Sequence, residues 1–171
     1  MKTVQHIAKA VFIFLIIAVT PMQHVCAQDS KKEKEAAQIT AVKKMVDERN
    51  YVFVPQSVSP LKGKTRQLTS GYDLKVFADS LISYLPFFGR AFTAPINPAD
   101  GGINFTSSDF EYNAEARKKG GWDISIKPKD VNDIQQLLLT IYDNGNAYLT
   151  VYSNNKDAIS YNGYIRARDQ K

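Results

Sequence analysis

From Asn50 onward, the sequence alternates between apolar and polar residues, and turn-forming residues interrupt the alternation at short intervals. Successive side chains of a β-strand point to opposite faces, so a period of two is typical of strands with one buried and one solvated face. Short strands separated by regular turns indicate an antiparallel β domain. The chain shows no repeat of 20–50 residues, which argues against a solenoid or a propeller.

The clearest pair of predicted strands is residues 134–142 and 147–152, which flank Asp143, Asn144 and Gly145. Two connections between these strands are possible. One is a two-residue Asn-Gly turn, and the other is a three-residue loop with Gly145 in the left-handed conformation. Only the second pairs Tyr142 with Asn146 and sets apolar residues against apolar residues, namely Leu137, Leu139 and Ile141 against Val151, Leu149 and Ala147. Burial therefore favours the three-residue loop.

Other segments are predicted from the same alternation. Residues 158–168 form a strand, and residues 110–114 and 122–126 pair across the turn at 115–121. Residues 51–54 open the β domain, and Pro55 and Pro60 are expected to keep the next stretch at a sheet edge or in a loop. Residues 72–88 fit either one helix or two strands that meet at Asp79 and Ser80, and periodicity alone does not decide between them.

A single helix is predicted for residues 30–49. Ser30 and Glu33 have the spacing of a capping box, which satisfies free amides at a helix start. One face carries an apolar stripe, formed by Ala36, Ile39, Val42, Met45 and Val46. The predicted fold class is α+β, mainly β: one domain over residues 28–171, with this N-terminal helix packed on a curved antiparallel sheet or partly closed barrel of about seven or eight strands.

Residues 1–27 have the pattern of a secretory signal peptide. Lys2 and Lys9 precede an unbroken apolar run at residues 10–19, which as a helix rises only about 15 Å, half the hydrocarbon thickness of a bilayer. Small residues place the cleavage site between Ala27 and Gln28. The prediction is an exported protein, periplasmic or secreted, without a transmembrane anchor in the mature chain.

Cys26 gives an alternative, a lipoprotein whose acylated cysteine becomes the new N-terminus. Lipidation signals place a small residue directly before that cysteine and an aliphatic residue three positions before it. Val25 and Gln23 occupy those places here. The sequence therefore favours a cleaved, soluble product over the lipid-anchored one.

Cleavage removes the cysteine and both histidines, and it lowers the formal net charge from +5 to +3 because two lysines and no acid are lost. The mature chain thus lacks the usual general base, the strongest nucleophile and the commonest metal ligands. We expect no enzymatic activity, no catalytic residue, no metal and no cofactor. The small, scattered positive charge argues against nucleic acid as a partner.

Residues 79–91, Asp-Ser-Leu-Ile-Ser-Tyr-Leu-Pro-Phe-Phe-Gly-Arg-Ala, resemble the signature of a family of exported Bacteroidetes proteins called domain of unknown function 4251. Three later segments also resemble the family pattern, namely Gly121 to Ile124, the Asp-Asn-Gly hairpin and Ser160 to Gly163. Phe87 departs from it, since the family often has Tyr after the proline. The resemblance implies a small exported β-rich domain, favours two strands in residues 72–86 and implies no activity.

Residues 84–98 are the strongest candidate for a binding site, because Phe87, Phe88 and Phe92 lie among three prolines that prevent a regular strand. One interpretation is an aromatic lip that binds a partner or an apolar ligand, with Tyr84 and Arg90 contributing. The other is a plug, in which these aromatic side chains fold over the core and Arg90 satisfies loop carbonyls.

Two weaker sites follow from short patterns. Asp109, Glu111 and Asp123 share the polar face of the predicted 110–126 hairpin, and a carboxylate pair could serve a glycan hydrolase. Ser80, in Asp-Ser-Leu, matches an acceptor pattern for O-glycans.

The function expected from the whole sequence is an exported, non-catalytic binding or envelope-associated protein. Its partner would be an envelope protein, a glycan or a small apolar ligand. The alternatives are a lipocalin-like carrier of a small apolar ligand and, least favoured, a carboxylate-based glycan hydrolase.

Overall fold

The computed structural model describes residues 25–69, 71–92 and 101–168, with side chains from residue 31 onward. The chain divides into two units, residues 1–36 and residues 37–171. In the first unit, residues 25–36 are helical and the side chains of residues 31–36 are exposed. The helix, α1, runs from Val25 to Asp47. Since it passes through Ser30, the predicted capping box does not mark its start, and the prediction of a helix beginning at residue 30 is wrong.

The second unit contains the last part of α1 and the sheet. The strands are β1 (Tyr51–Pro60), β2 (Arg66–Gln67), β3 (Asp73–Val76), β4 (Leu81–Leu85), β5 (Ile103–Ser107), β6 (Phe110–Ala116), β7 (Trp122–Pro128), β8 (Ile134–Ile141), β9 (Asn146–Ser153) and β10 (Ile159–Arg166). Their order is β5-β4-β3-β1-β10-β9-β8-β7-β6, with β2 paired to β1 and every pairing antiparallel. The predicted mainly-β class with an N-terminal helix is confirmed, and residues 72–88 supply two strands.

The two strands that end this order, β5 and β6, are consecutive in the chain and are joined by Ser108 and Asp109 alone. Asp130, from the turn between β7 and β8, accepts hydrogen bonds from the Ser107 hydroxyl and from the N–H groups of Ser108 and Asp109. In addition, the hydroxyls of Tyr51 in β1 and Tyr112 in β6 lie 3.3 Å apart. These contacts leave the sheet nearly closed into a barrel.

The hairpin of β8 and β9 has the predicted register. Leu137, Leu139 and Ile141 pair with Val151, Leu149 and Ala147, and all six side chains are buried. The Tyr142 N–H donates to the Asn146 carbonyl at 2.9 Å, and Gly145 has a φ of +80°, as the three-residue loop requires. Burial of both apolar faces thus decides the register.

Strand β1 corrects the prediction for Pro55 and Pro60. The strand continues to Pro60 and pairs with β10 on one side and with β3 and β2 on the other, so it is central and not an edge. Pro55 is accommodated because the register with β10 shifts between Pro55 and Ser57, which is a bulge. Pro60 is simply the last residue of the strand.

Only part of the predicted apolar stripe of α1 is buried. Val42 and Val46 are each 2% exposed and belong to the core, and Met45 packs against it. Ile39 is 41% exposed, so the prediction that it packs on the sheet is wrong. The helix stabilises the domain through its last turns, where apolar residues meet the core.

Candidate functional site

The predicted binding residues lie at the end of β4 and directly after it, in a stretch that we call the aromatic segment, residues 84–92. Residues 93–98 of the predicted stretch lie outside the described residues. Its backbone is bonded to the loop between β9 and β10. The Phe92 N–H donates to the Asn155 carbonyl at 2.8 Å, and the Asp157 N–H donates to the Arg90 carbonyl at 2.9 Å. Ala91 and Lys156 form an antiparallel bridge between these bonds. The segment is therefore held in one place, although beyond Leu85 it is not part of the sheet.

A buried tyrosine fixes the start of the aromatic segment. Pro86 is buried, and its carbonyl accepts a hydrogen bond of 2.7 Å from the hydroxyl of Tyr161, whose side chain points inward from β10. Burial raises the pKa of Tyr161 far above its ordinary value, so the hydroxyl stays protonated and remains a donor. This bond ties the segment to the barrel core.

Phe87 faces the protein rather than the solvent. Its ring is half-buried and packs against the core, and the ammonium of Lys156 lies 5.5 Å from the ring centroid. A Cβ atom at Gly89 would lie 2.7 Å from the Phe87 ring, so glycine allows the chain to pass close beside it. Lys156 in turn donates to the Gly102 carbonyl at 2.6 Å. For Phe87, the structure agrees with the plug interpretation.

The other predicted side chains are exposed. Tyr84, Phe88 and Phe92 have 52%, 39% and 65% of their surface accessible, and the side chain of Arg90 is also exposed. Soluble chains bury most large aromatic rings, and a group of exposed ones on an ordered segment indicates a surface for binding. The aromatic segment thus combines an inward anchor, Pro86 and Phe87, with outward aromatic side chains.

Two residues that the sequence analysis did not select contact the exposed rings. Tyr72 stacks on Tyr84 with ring centroids 5.6 Å apart, and the guanidinium of Arg66 lies 4.8 Å from the centroid of Phe88. Tyr72 directly precedes β3, whose first residue Asp73 pairs with Tyr84. Strict alternation would put Tyr72 on the face opposite Tyr84, so the hairpin register does not predict this contact. Arg66 lies in a polar run without periodicity, and no sequence signal identifies it.

Of the predicted carboxylate group, Asp123 is not brought to Glu111. Glu111 pairs with Lys127 in the sheet, four positions along β7 from Asp123, which corresponds to about 13 Å. Glu111 instead forms an ion pair with Lys129 at 3.1 Å. The residue opposite Asp123 is Glu115, which the sequence analysis did not select.

Glu115 and Asp123 both line a shallow pocket of about 240 Å³. Both side chains are exposed. Asp123 accepts a hydrogen bond of 2.8 Å from Thr140 and pairs with Arg117 at 3.4 Å. Such contacts are those of a solvated surface acid, and this pocket lacks the enclosure of a catalytic cleft.

Ser80 lies in the tight turn between β3 and β4. Its carbonyl accepts from the Phe77 N–H at 2.8 Å, and its hydroxyl donates to Asp79 at 2.9 Å. The side chain is partly exposed, and its role as a glycan acceptor stays a prediction. Residues 1–24 lie outside the described residues, and the cleavage site at Ala27 and Gln28 also stays a prediction.

Within residues 25–69, 71–92 and 101–168, no three His, Cys, Asp or Glu side chains lie close enough together to hold a metal ion. In the same described ranges, no helix combines the length and apolar character that crossing a membrane requires.

Comparison with known proteins gives a family and a fold. The family model described as Domain of unknown function (DUF4251) matches residues 33–165. A crystal structure of a DUF4251 family protein from Bacteroides eggerthii superimposes with a TM-score of 0.57 at 18% sequence identity, covering 78% of this chain and 91% of that chain. No curated protein sequence matches the chain. At this identity the structural likeness shows the fold alone.

Proposed function

We propose that this chain, which belongs to the family described as Domain of unknown function (DUF4251), is an exported, non-catalytic protein that binds another protein of the cell envelope. One observation carries the proposal. The aromatic segment is bonded in place through Pro86, Arg90 and Phe92, yet it presents Tyr84, Phe88 and Phe92 to solvent.

The chemistry of the exposed side chains favours a protein as the partner. Aromatic residues and arginine are enriched at the centres of protein interfaces, where a few such residues supply most of the binding energy. Here Tyr84 is stacked on Tyr72, and Arg66 lies over Phe88, so the side chains are already ordered before binding. Order in the free state lowers the entropic cost of association.

Export is supported by the sequence of the first 27 residues. The mature protein, isolated from the native cell envelope or medium, should begin at Gln28 when its N-terminus is sequenced. A chain that retains residues 1–27, or one that begins at an acylated Cys26, would contradict cleavage between Ala27 and Gln28.

The binding proposal is tested by affinity capture from the native envelope extract, with three versions of the tagged mature protein. Wild type should enrich a defined protein, and the double variant Phe88→Ala/Phe92→Ala should recover less than about a tenth as much, since two interface anchors are lost. Leu61→Ala is the matched control, because Leu61 is as exposed as Phe92, at 65%. The proposal would be refuted if the double variant recovered as much of the partner as wild type, or if Leu61→Ala lowered the recovery as much as the double variant does.

The two alternatives have less support. A lipocalin-like carrier needs an internal cavity, whereas the inward side chains Tyr51, Phe53 and Tyr161 are fully buried within one continuous hydrophobic core. A hydrolase needs an enclosed carboxylate pair, whereas Glu115 and Asp123 are exposed. We therefore place the binding function on the outer surface.

A further inference from the structure

A groove of about 1140 Å³ lies between the second half of α1 and the outward faces of β1, β3 and β4. Its lining contains no residue of the aromatic segment, although its lining residue Asp73 pairs with Tyr84 across β3 and β4. Small-molecule sites occupy roughly 300–1,000 Å³, so the groove has room for a small ligand.

The floor of the groove is apolar apart from Lys75. Val52 alternates with Tyr51 and Phe53, which face the core, and therefore points outward, yet it is only 3% exposed. In the sheet, Val52 pairs with Lys75, and Lys75 pairs with Ile82, so these three outward side chains form one row. The apolar lining residues are Ala41, Met45, Val52, Phe77 and Ile82. An outward sheet face with this composition is unusual, because such faces normally carry polar side chains.

The rim of the groove is basic. Its charged lining residues are Lys44, Lys75, Arg166 and Arg168 against Glu48 and Asp73, an excess of two positive charges. Lys75 lies 3.4 Å from Asp73, and Lys44 lies 3.8 Å from Glu48. The guanidinium of Arg168 lies 4.6 Å from the centroid of Phe77, so basic and apolar surfaces meet at that point.

We infer that this groove binds a single-chain amphiphilic anion, an alkyl carboxylate. The alkyl chain lies on the row of Val52 and Ile82, and the carboxylate lies among Lys75 and Arg168 at the rim. An apolar floor supplies affinity through burial of methylene groups, and the positive excess selects an anion over a cation. The inference goes beyond the proposed protein-binding function and does not depend on it, because the two surfaces share no residue.

Titration calorimetry on the mature protein tests the inference with dodecanoate, kept below its micelle-forming concentration. Dodecanoate should bind at least about tenfold more tightly than dodecyltrimethylammonium, which has the same chain and the opposite charge. Acetate, which has the carboxylate and no chain, should give no saturable heat. Absence of saturable dodecanoate binding up to about 1 mM, or equal affinity for the cation, would overturn the inference.

Paired variants locate the site. Lys75→Gln/Arg168→Gln should raise the Kd for dodecanoate about fivefold, as the loss of two partly exposed charge contacts implies. Arg117→Gln/Lys127→Gln removes the same charge outside the groove and should leave the Kd unchanged, and thermal melting checks that both variants fold. Equal weakening in the two variants would overturn the site.

A lipid surface could supply the same chemistry. Vesicles of phosphatidylglycerol therefore form a second arm of the experiment. Binding to the vesicles without saturable binding of free dodecanoate would overturn the assignment to a single-chain ligand.

Discussion

Gly163 lies in β10 where that strand crosses the bulge of β1, opposite Pro55. A Cβ atom built on Gly163 would lie 2.1 Å from the Val54 carbonyl oxygen and 2.9 Å from the Pro55 Cα atom. Both of these atoms are backbone, so neither can move aside as a flexible side chain would. In the sequence, Gly163 is only one position on the apolar face of a strand. Its role depends on a contact with a distant residue, which periodicity does not reveal.

Gly163→Ala should therefore lower the free energy of unfolding by about 2 kcal/mol or more, because the added carbon forces the two central strands apart. Urea denaturation of the variant and the wild type measures the difference. Gly101→Ala is the matched control, since an added Cβ meets no atom within 4 Å there and should change stability by less than about 0.5 kcal/mol. A Gly163→Ala protein as stable as the control would contradict the close approach of β1 and β10.

Tyr161→Phe removes the hydroxyl that donates to the Pro86 carbonyl and leaves a buried acceptor without this partner. The expected cost is about 1–2 kcal/mol in the free energy of unfolding. Hydrogen exchange should also become faster at the amides of Phe92 and Asp157, which bond the aromatic segment to the neighbouring loop. Tyr164→Phe, at an exposed position of the same strand, is the control. Unchanged exchange at both amides would show that the bond does not hold the segment.

At the scale of elements, the sequence predicts those strands whose alternation is uninterrupted. The register of β8 and β9 follows from burial alone, because the alternative places apolar residues against polar ones. Strand β5 was not predicted, since it follows Gly101 and Gly102 and exposes Asn104 and Thr106. The continuity of β1 through Pro55 was also not predictable, because the bulge depends on Gly163 in a strand more than a hundred residues away.

The link between β5 and β6 depends on a charged side chain. The hydrogen bond from Ser107, followed by the bond from the Ser108 N–H, holds the pKa of Asp130 below its ordinary value of 3.8. A group with a lowered folded-state pKa contributes stability above its unfolded pKa and loses that contribution as the pH falls through the folded value.

Asp130→Asn should accordingly be less stable than wild type at pH 7, and the difference in the free energy of unfolding should shrink as the pH falls below about 4. Urea midpoints measured for both proteins across this range give the result. Asp133→Asn, three residues along the same connection between β7 and β8, controls for a general loss of one negative charge. If the difference in urea midpoint between Asp130→Asn and wild type stays constant with pH, the carboxylate does not act through its charge.

At the scale of the whole molecule, the predicted class and the near-closed sheet agree with the structure, and the aromatic segment was found from its composition. The residues that contact it could not be predicted. The contact of Tyr72 with Tyr84 depends on the pairing of β3 with β4, and that of Arg66 with Phe88 depends on the pairing of β2 with β1. The difference between a half-buried Phe87 and an exposed Phe88 likewise depends on where the segment crosses the core. Sequence alone thus identifies the segment, whereas tertiary structure identifies which of its side chains face the solvent.

The central claim is that the outward aromatic side chains contact a protein partner. Photo-crosslinking in the native cells tests it most directly, with benzoylphenylalanine at position 92 and, as the control, at position 61. Both native side chains, Phe92 and Leu61, are 65% exposed, so unspecific collision should label them equally. We expect a discrete crosslinked protein from position 92 and none from position 61. No adduct from position 92, or the same adducts from both positions, would contradict it.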